Sequence, residues 1–202
     1  MKAITISSKD KNAISAAVRV LKKGGIIIYP TETSYGIGAD ATNSKAIRKI
    51  FRIKTRDKGK PISVIVSSLS MAKKYAVIDI LTKKLAQKFM PGPLTLISRK
   101  KNLPGILSKN TIAWRIPSHP VALAMIRKFC RPVTATSANL SGKPPLYRIK
   151  EVVKIFSCYV DLIIDAGNLP RRRPSTVFDT INQKIVRKGP VKEKCISACL
   201  KD

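Results

Sequence analysis

Hydrophobic residues recur along this chain with two spacings, and the alternation between them lays out the elements. Ile14, Ala17, Val18 and Leu21 fall at i, i+3, i+4 and i+7, predicting an amphipathic helix capped by Asp10 and ended by Gly24-Gly25. Residues 26–29 (IIIY) then read as a buried strand that runs into the polar turn 30–33 (PTET). A second helix has Asn43 as its cap, Ala46, Ile47, Ile50 and Phe51 inward, and Arg48 and Arg52 outward or at its edge. Residues 61–67 are strand-like. Leu81, Leu85 and Phe89 mark a helix stopped by Pro91-Gly92-Pro93.

Strands follow at 94–98 and 111–116, and His119-Pro120 opens a helix containing Val121, Leu123, Ala124 and Ile126. Residues 133–136 predict a strand that ends in the polar turn Ser137-Ala138-Asn139. A helix is expected at 149–156, a strand at 160–165, and a hairpin around Asn182 joining 175–180 to 184–188. Strands and helices alternate first and strands pair locally afterwards, which predicts an α/β fold with a mixed sheet. One domain is expected over residues 1–190, with 191–202 as a C-terminal tail.

Composition narrows the class. Forty Lys and Arg against eleven acidic residues give a formal charge of +29, spread along the chain, so the expected partners are polyanions. The strongest apolar run, residues 24–29, is far too short to span a bilayer, and no signal-like apolar segment opens the chain. A cytoplasmic protein without membrane contact is the expectation. Cys130, Cys158, Cys195 and Cys199 fit no metal pattern, so no metal-ligating set is assigned and no structural disulfide is expected.

The chemistry-bearing residues are few. There is no Walker loop and no dinucleotide-binding glycine fingerprint. The single histidine, His119, reads as a helix-start residue meeting local hydrogen bonds rather than as a triad member. Arg52, Lys54, Arg56 and Lys60 fall within one nine-residue stretch. With the Ser137-Ala138-Asn139 turn they look like two sides of a phosphate site, cations for charge and small polar groups for geometry. Solvated charge or RNA contact explains the cluster equally well. Thr33, Tyr35, Gly36 and Gly38 form a polar, glycine-rich exit from a buried strand. Arg115 is the odd cation in an apolar strand and should either snorkel or meet an anion.

In combination these residues resemble the threonylcarbamoyl-AMP synthase family, the YrdC-like proteins of tRNA modification. The matching segments run in family order: 29–43 (YPTETSYGIGADATN), Lys54-Thr55-Arg56 with Lys60-Pro61-Ile62, 91–96 (PGPLTL), 114–117 (WRIP) and His119-Pro120. They continue with 136–142 (TSANLSG), 174–177 (PSTV) and 185–189 (IVRKG). Ser34, Pro145-Leu146 and the basic run Arg171-Arg172-Arg173 depart from the family's usual pattern.

The resemblance implies a YrdC-like twisted, mixed, open sheet flanked by helices, with a large, positively charged concave site. It implies a nucleotidyltransferase that makes threonylcarbamoyl-AMP and pyrophosphate from L-threonine, bicarbonate and ATP. ATP is then a substrate, with Mg²⁺ expected. A downstream threonylcarbamoyl-transferase complex would pass the group to a tRNA adenosine, and contact with tRNA itself is left open. By motif, ATP binding falls on Arg52, Lys54, Arg56, Thr111, Ser137, Asn139 and Arg187, with Lys54 and Arg56 as transition-state cations and no acid–base residue. Threonine binding falls on Thr33, Lys60, Arg115, Ser175 and Thr176. Two other readings stand beside it: a basic RNA-binding accessory protein without catalysis, and a carbamoyl-phosphate chemistry whose extra modules this chain lacks.

Overall fold

The computed structural model describes residues 2–55 and 61–200. The chain runs β1 (Ile4–Ser7), α1 (Ala13–Lys22), β2 (Ile27–Pro30), β3 (Tyr35–Gly38), α2 (Ser44–Lys54), β4 (Val64–Ile65), α3 (Leu69–Tyr75), α4 (Ile80–Phe89) and β5 (Leu94–Arg99). It continues with β6 (Thr111–Arg115), α5 (Pro120–Phe129), β7 (Val133–Thr134), β8 (Thr136–Ser137), α6 (Ile149–Phe156), β9 (Leu162–Asp165), β10 (Thr176–Asp179), β11 (Lys184–Arg187) and α7 (Glu193–Ser197).

The α/β class with mixed pairing agrees with the sequence pattern, but the strands form two sheets. One has the order β1-β9-β2-β3-β8, the other β11-β10-β5-β6-β4-β7. The split lies inside the segment expected to be one strand. β7 pairs antiparallel with β4 in the second sheet, while β8 pairs antiparallel with β3 in the first. Ala135 alone separates them. It is pinned at the crossing by its N–H to Ser63 O (2.7 Å) and by Ser63 Oγ donating to its carbonyl (2.6 Å).

β2 explains why residues 26–29 are continuously apolar. Ile26 and Ile28 enter the larger core under α2, α4 and α6. Ile27 and Tyr29 enter a second core with Ala17, Leu21, Met125 and Ile126 of α1 and α5. A strand buried on both faces has no polar side to alternate. Asn43 caps α2 as expected, its Oδ1 accepting from Lys45 N and Ala46 N. The α1 cap differs: Asn12 occupies the cap position, while Asp10, two residues earlier, accepts from Asn12 N through Oδ1. β1 and α3 carried no usable periodicity; β1 is an exposed edge and α3 has only Ala72 buried. Residues 191–200, expected as a tail, include α7, and Ile196 and Cys199 are buried in the larger core. Among the described residues, no helix is long and apolar enough to cross a membrane.

Candidate functional site

A cavity of about 300 Å³ lies where the two sheets meet. That is the lower end of the range for small-ligand sites. The first sheet contributes Thr33 from the β2–β3 loop and Ser137 from β8; the second contributes Thr95, Arg115 and Arg187, with Ser175 just before β10. The four-residue β2–β3 loop is organised by Thr31. Its Oγ1 donates to Ser34 O (2.7 Å) and accepts the N–H groups of Thr33 and Ser34 at 3.2 Å. This tight loop turns Thr33 to the cavity and Glu32 to Arg115.

Arg115 ends β6 and is buried. Its Nη1 lies 2.5 Å from Glu32 Oε1, with the two side chains 9 and 7 % exposed. Thus the strand arginine meets an anion rather than snorkelling. Arg187 ends β11, donating from Nε to Ser175 O and from Nη2 to Ser175 Oγ, each at 3.0 Å. Ser175 Oγ in turn lies 2.8 Å from Thr95 Oγ1. Burial, and then the nearby charge of Arg115, lower the Arg187 pKa, so two guanidiniums are close enough to repel when no anion lies between them. Arg172, exposed, is a third arginine on the wall.

The ionisable side chains among the described wall residues are these three arginines and Tyr29, Tyr35 and Tyr147. Burial raises Tyr29, whose hydroxyl donates to Thr134 O at 3.0 Å, well above the phenol range. Burial pushes Tyr35 up to about 12. The described wall residues therefore include three arginines and several hydroxyl groups but no carboxylate, histidine, cysteine or lysine. Such a wall can stabilise developing negative charge better than it can move a proton.

Several expected site residues do other work here. Lys54 is 1 % exposed and sits beneath the Ser137-Ala138-Asn139 turn rather than on the wall. Its Nζ donates to Ser137 O (2.6 Å), Asn139 O (2.8 Å) and Asn139 Oδ1 (2.8 Å). Asn139 Oδ1 also accepts from Ser137 Oγ at 2.6 Å, and its Nδ2 donates to Lys143 O. Asn139 is thus a strut of the turn, and Ser137 is the member on the wall. Arg52 is exposed on the outer side of α2 and is not on the wall. β6 carries Thr111 and Arg115 at opposite ends, about 13 Å apart at strand rise, and only Arg115 reaches the cavity. Thr176 Oγ1 turns away, donating to Val191 O and accepting from Val191 N. Arg56 and Lys60 lie outside the described residues. His119 precedes α5 as expected, but its Nδ1 is buried without the local partner expected of it.

Sequence reasoning gave no role to Glu32 or Thr95, and counted Arg172 only within the basic run 171–173 that favours the RNA-binding alternative. Glu32 carried a signal: one of eleven acidic residues in a strongly basic chain, placed in a polar turn after a buried strand. Among the described residues no cluster of His, Cys, Asp and Glu is built to hold a metal ion.

Gly189 links β11 to this wall. A Cβ there would lie under 3.0 Å from Thr176 N, Pro174 O and Ser175 C, all backbone atoms that cannot swing aside. Gly189→Ala is therefore expected to destabilise the protein by at least ~2 kcal/mol through overpacking. Thermal unfolding checks this, and a melting point unchanged from wild type would contradict it.

Residues 19–189 match the Sua5/YciO/YrdC family model, which is described as "Telomere recombination". A putative threonylcarbamoyl-AMP synthase of Methanocaldococcus jannaschii is 37 % identical over 207 residues, covering 98 % of both chains. The threonylcarbamoyl-AMP synthase of Coxiella burnetii is 33 % identical over 180 residues, covering 87 % of this chain and 96 % of that one. Among solved structures, Pyrococcus abyssi Sua5 complexed with L-threonine superposes with a TM-score of 0.91 at 31 % identity. It covers 99 % of this chain, which spans only 61 % of that protein. Escherichia coli YciO superposes with a TM-score of 0.85 at 29 % identity, covering 96 % of this chain and 98 % of that one.

Proposed function

Since this chain belongs to the Sua5/YciO/YrdC family, we propose that its cavity makes threonylcarbamoyl-AMP and pyrophosphate from L-threonine, bicarbonate and ATP. The observation that carries this reading is the wall itself: arginines and hydroxyls from both sheets, with no carboxylate, histidine, cysteine or lysine among its described residues. The threonine amine and bicarbonate condense to a carbamate with loss of water. A carbamate oxygen attacks the α-phosphorus, and pyrophosphate leaves. Both reactants of that second step are anions, so the enzyme's task is to screen repulsion and hold the groups in line.

In this proposal Arg115 takes threonine's carboxylate, with Thr33 and Ser175 beside it. Arg187 and Ser137 face the phosphates; of the two residues outside the described segment, Arg56 is assigned to the phosphates and Lys60 to threonine. ATP enters as its Mg²⁺ complex, the metal arriving with the substrate. Transfer to a tRNA adenosine by a separate threonylcarbamoyl-transferase complex completes the proposal.

The test is mass spectrometry of purified protein with ATP, Mg²⁺, L-threonine and labelled bicarbonate. The expected product is an adenylate that carries the label and requires threonine. Folded protein that binds ATP but forms no labelled adenylate would overturn the reading, and salt-sensitive RNA binding alone would favour the accessory role.

A further inference from the structure

Among the described residues, three buried side-chain polar atoms lack a hydrogen-bond partner: Glu32 Oε2, His119 Nδ1 and Thr82 Oγ1. Two of them are complementary. A carboxylate oxygen only accepts, and a neutral imidazole can carry its proton on Nδ1 and donate. Both belong to the surroundings of Arg115. Glu32 spends its other oxygen, Oε1, on Arg115 Nη1, and His119 follows Arg115 by four residues across Pro117. The charge of Glu32 also reaches the imidazole ring, where it opposes the lowering of the His119 pKa by burial.

We propose that His119 is a positioning residue for Arg115: its Nδ1–H reaches Glu32 Oε2 through one buried water, so that Glu32 is gripped from both sides and aims the guanidinium into the cavity. The proposal rests on the synthase reading for what Arg115 binds, but the hydrogen bond itself does not. Among the described residues, the charged and titratable groups facing this unit are Arg115 on β6, Tyr29 on β2 and, next to Arg115, Arg187 on β11. Burial holds the Tyr29 phenol protonated near neutrality. Burial keeps His119 neutral there, so one ring nitrogen bears the proton and the other does not. A carboxylate tied only to Arg115 could rotate with it. One tied also to the start of α5 is held from a second element.

His119 is the single histidine of the chain, which makes the bond directly observable. In ¹⁵N NMR of the full chain at pH 7.5, without substrate, the expected state is neutral with Nδ1 protonated, and Glu32→Gln shifts that resonance. An Nε2-protonated ring indifferent to Glu32→Gln overturns the proposal. In kinetics, His119→Leu is expected to raise the KM for L-threonine about tenfold while the KM for ATP stays within about twofold. His119→Asn, whose amide nitrogen stands near the Nδ1 position, should return the threonine KM to within about threefold of wild type. Equal impairment in both variants, or an unchanged threonine KM in His119→Leu, sinks the positioning role. A wild-type protein that shows the Nδ1-protonated ring but forms no adenylate removes the synthase reading and leaves the His119–Glu32 bond established.

Discussion

Arg115→Ala is expected to abolish threonine-dependent adenylate formation, with a loss of at least 100-fold in kcat/KM for threonine, or about 2.7 kcal/mol of transition-state stabilisation. Two effects coincide. The substitution removes the buried cation assigned to the substrate carboxylate. It also strands Glu32, whose side chain is only 7 % exposed and whose second oxygen already has no partner. Breaking a buried ion pair from one side costs about 3–5 kcal/mol, because the remaining charge is left uncompensated. For a domain of this length that lowers the melting point by roughly 6–20 °C.

The two effects can be separated. Arg115→Met combined with Glu32→Gln removes both charges and keeps most of the volume, and it should recover most of the lost melting temperature without recovering activity. Calorimetry and the adenylate assay on the single and double variants check this. Activity restored in the double variant would mean that Arg115 only supports the fold.

Legibility from the sequence tracked burial geometry. β2, α2 and α6 were readable because each buries one continuous apolar set: both faces of β2, and the helical stripes ending at Phe51 and Phe156. β1 and α3 were not, since an exposed edge strand and a helix with a single buried alanine leave no period to detect. The two-sheet split was invisible for another reason. Residues 133–136 look like one strand because alternation is a local signal, whereas the change of partner at Ala135 is set by hydrogen bonds to Ser63, some seventy residues earlier.

The site was legible as a set of motifs but not as a division of labour. Ser137, Arg115, Ser175 and Arg187 reach one cavity from four separate segments. The sequence could not say that Thr176 turns outward while its neighbour Ser175 turns in. That follows from strand alternation once the register of β10 against β5, Thr176 opposite Leu94, is known. Nor could it say that Lys54 stabilises the turn from beneath. A lysine at the end of a helix reads as a surface cation until the segment folded over it is seen.

That placement gives Lys54 the second large expected effect. Lys54→Met should cost about 2–4 kcal/mol in stability and reduce adenylate formation at least 100-fold, mainly through steps that depend on ATP. The methionine fills the stem's volume but leaves Ser137 O, Asn139 O and Asn139 Oδ1 without the ammonium that now draws them together. The turn would loosen at its centre. The return contact, in which Ser141 N–H donates to Lys54 O at 3.0 Å, shows that it is also tied to the helix end by backbone and would stay attached while losing its shape. Ser137 Oγ, now oriented by Asn139 Oδ1, would lose its fixed direction toward the cavity.

Lys54→Arg should not rescue. A planar guanidinium cannot place its donors on three oxygens gathered around a point, and at a site where Lys54 is 1 % exposed the longer fork cannot reach water instead. Titration of ATP binding and adenylate assays on Lys54→Met and Lys54→Arg check the point. Either variant retaining half of wild-type activity would show that the turn holds its shape without Lys54, and that this lysine is dispensable to the phosphate side of the cavity.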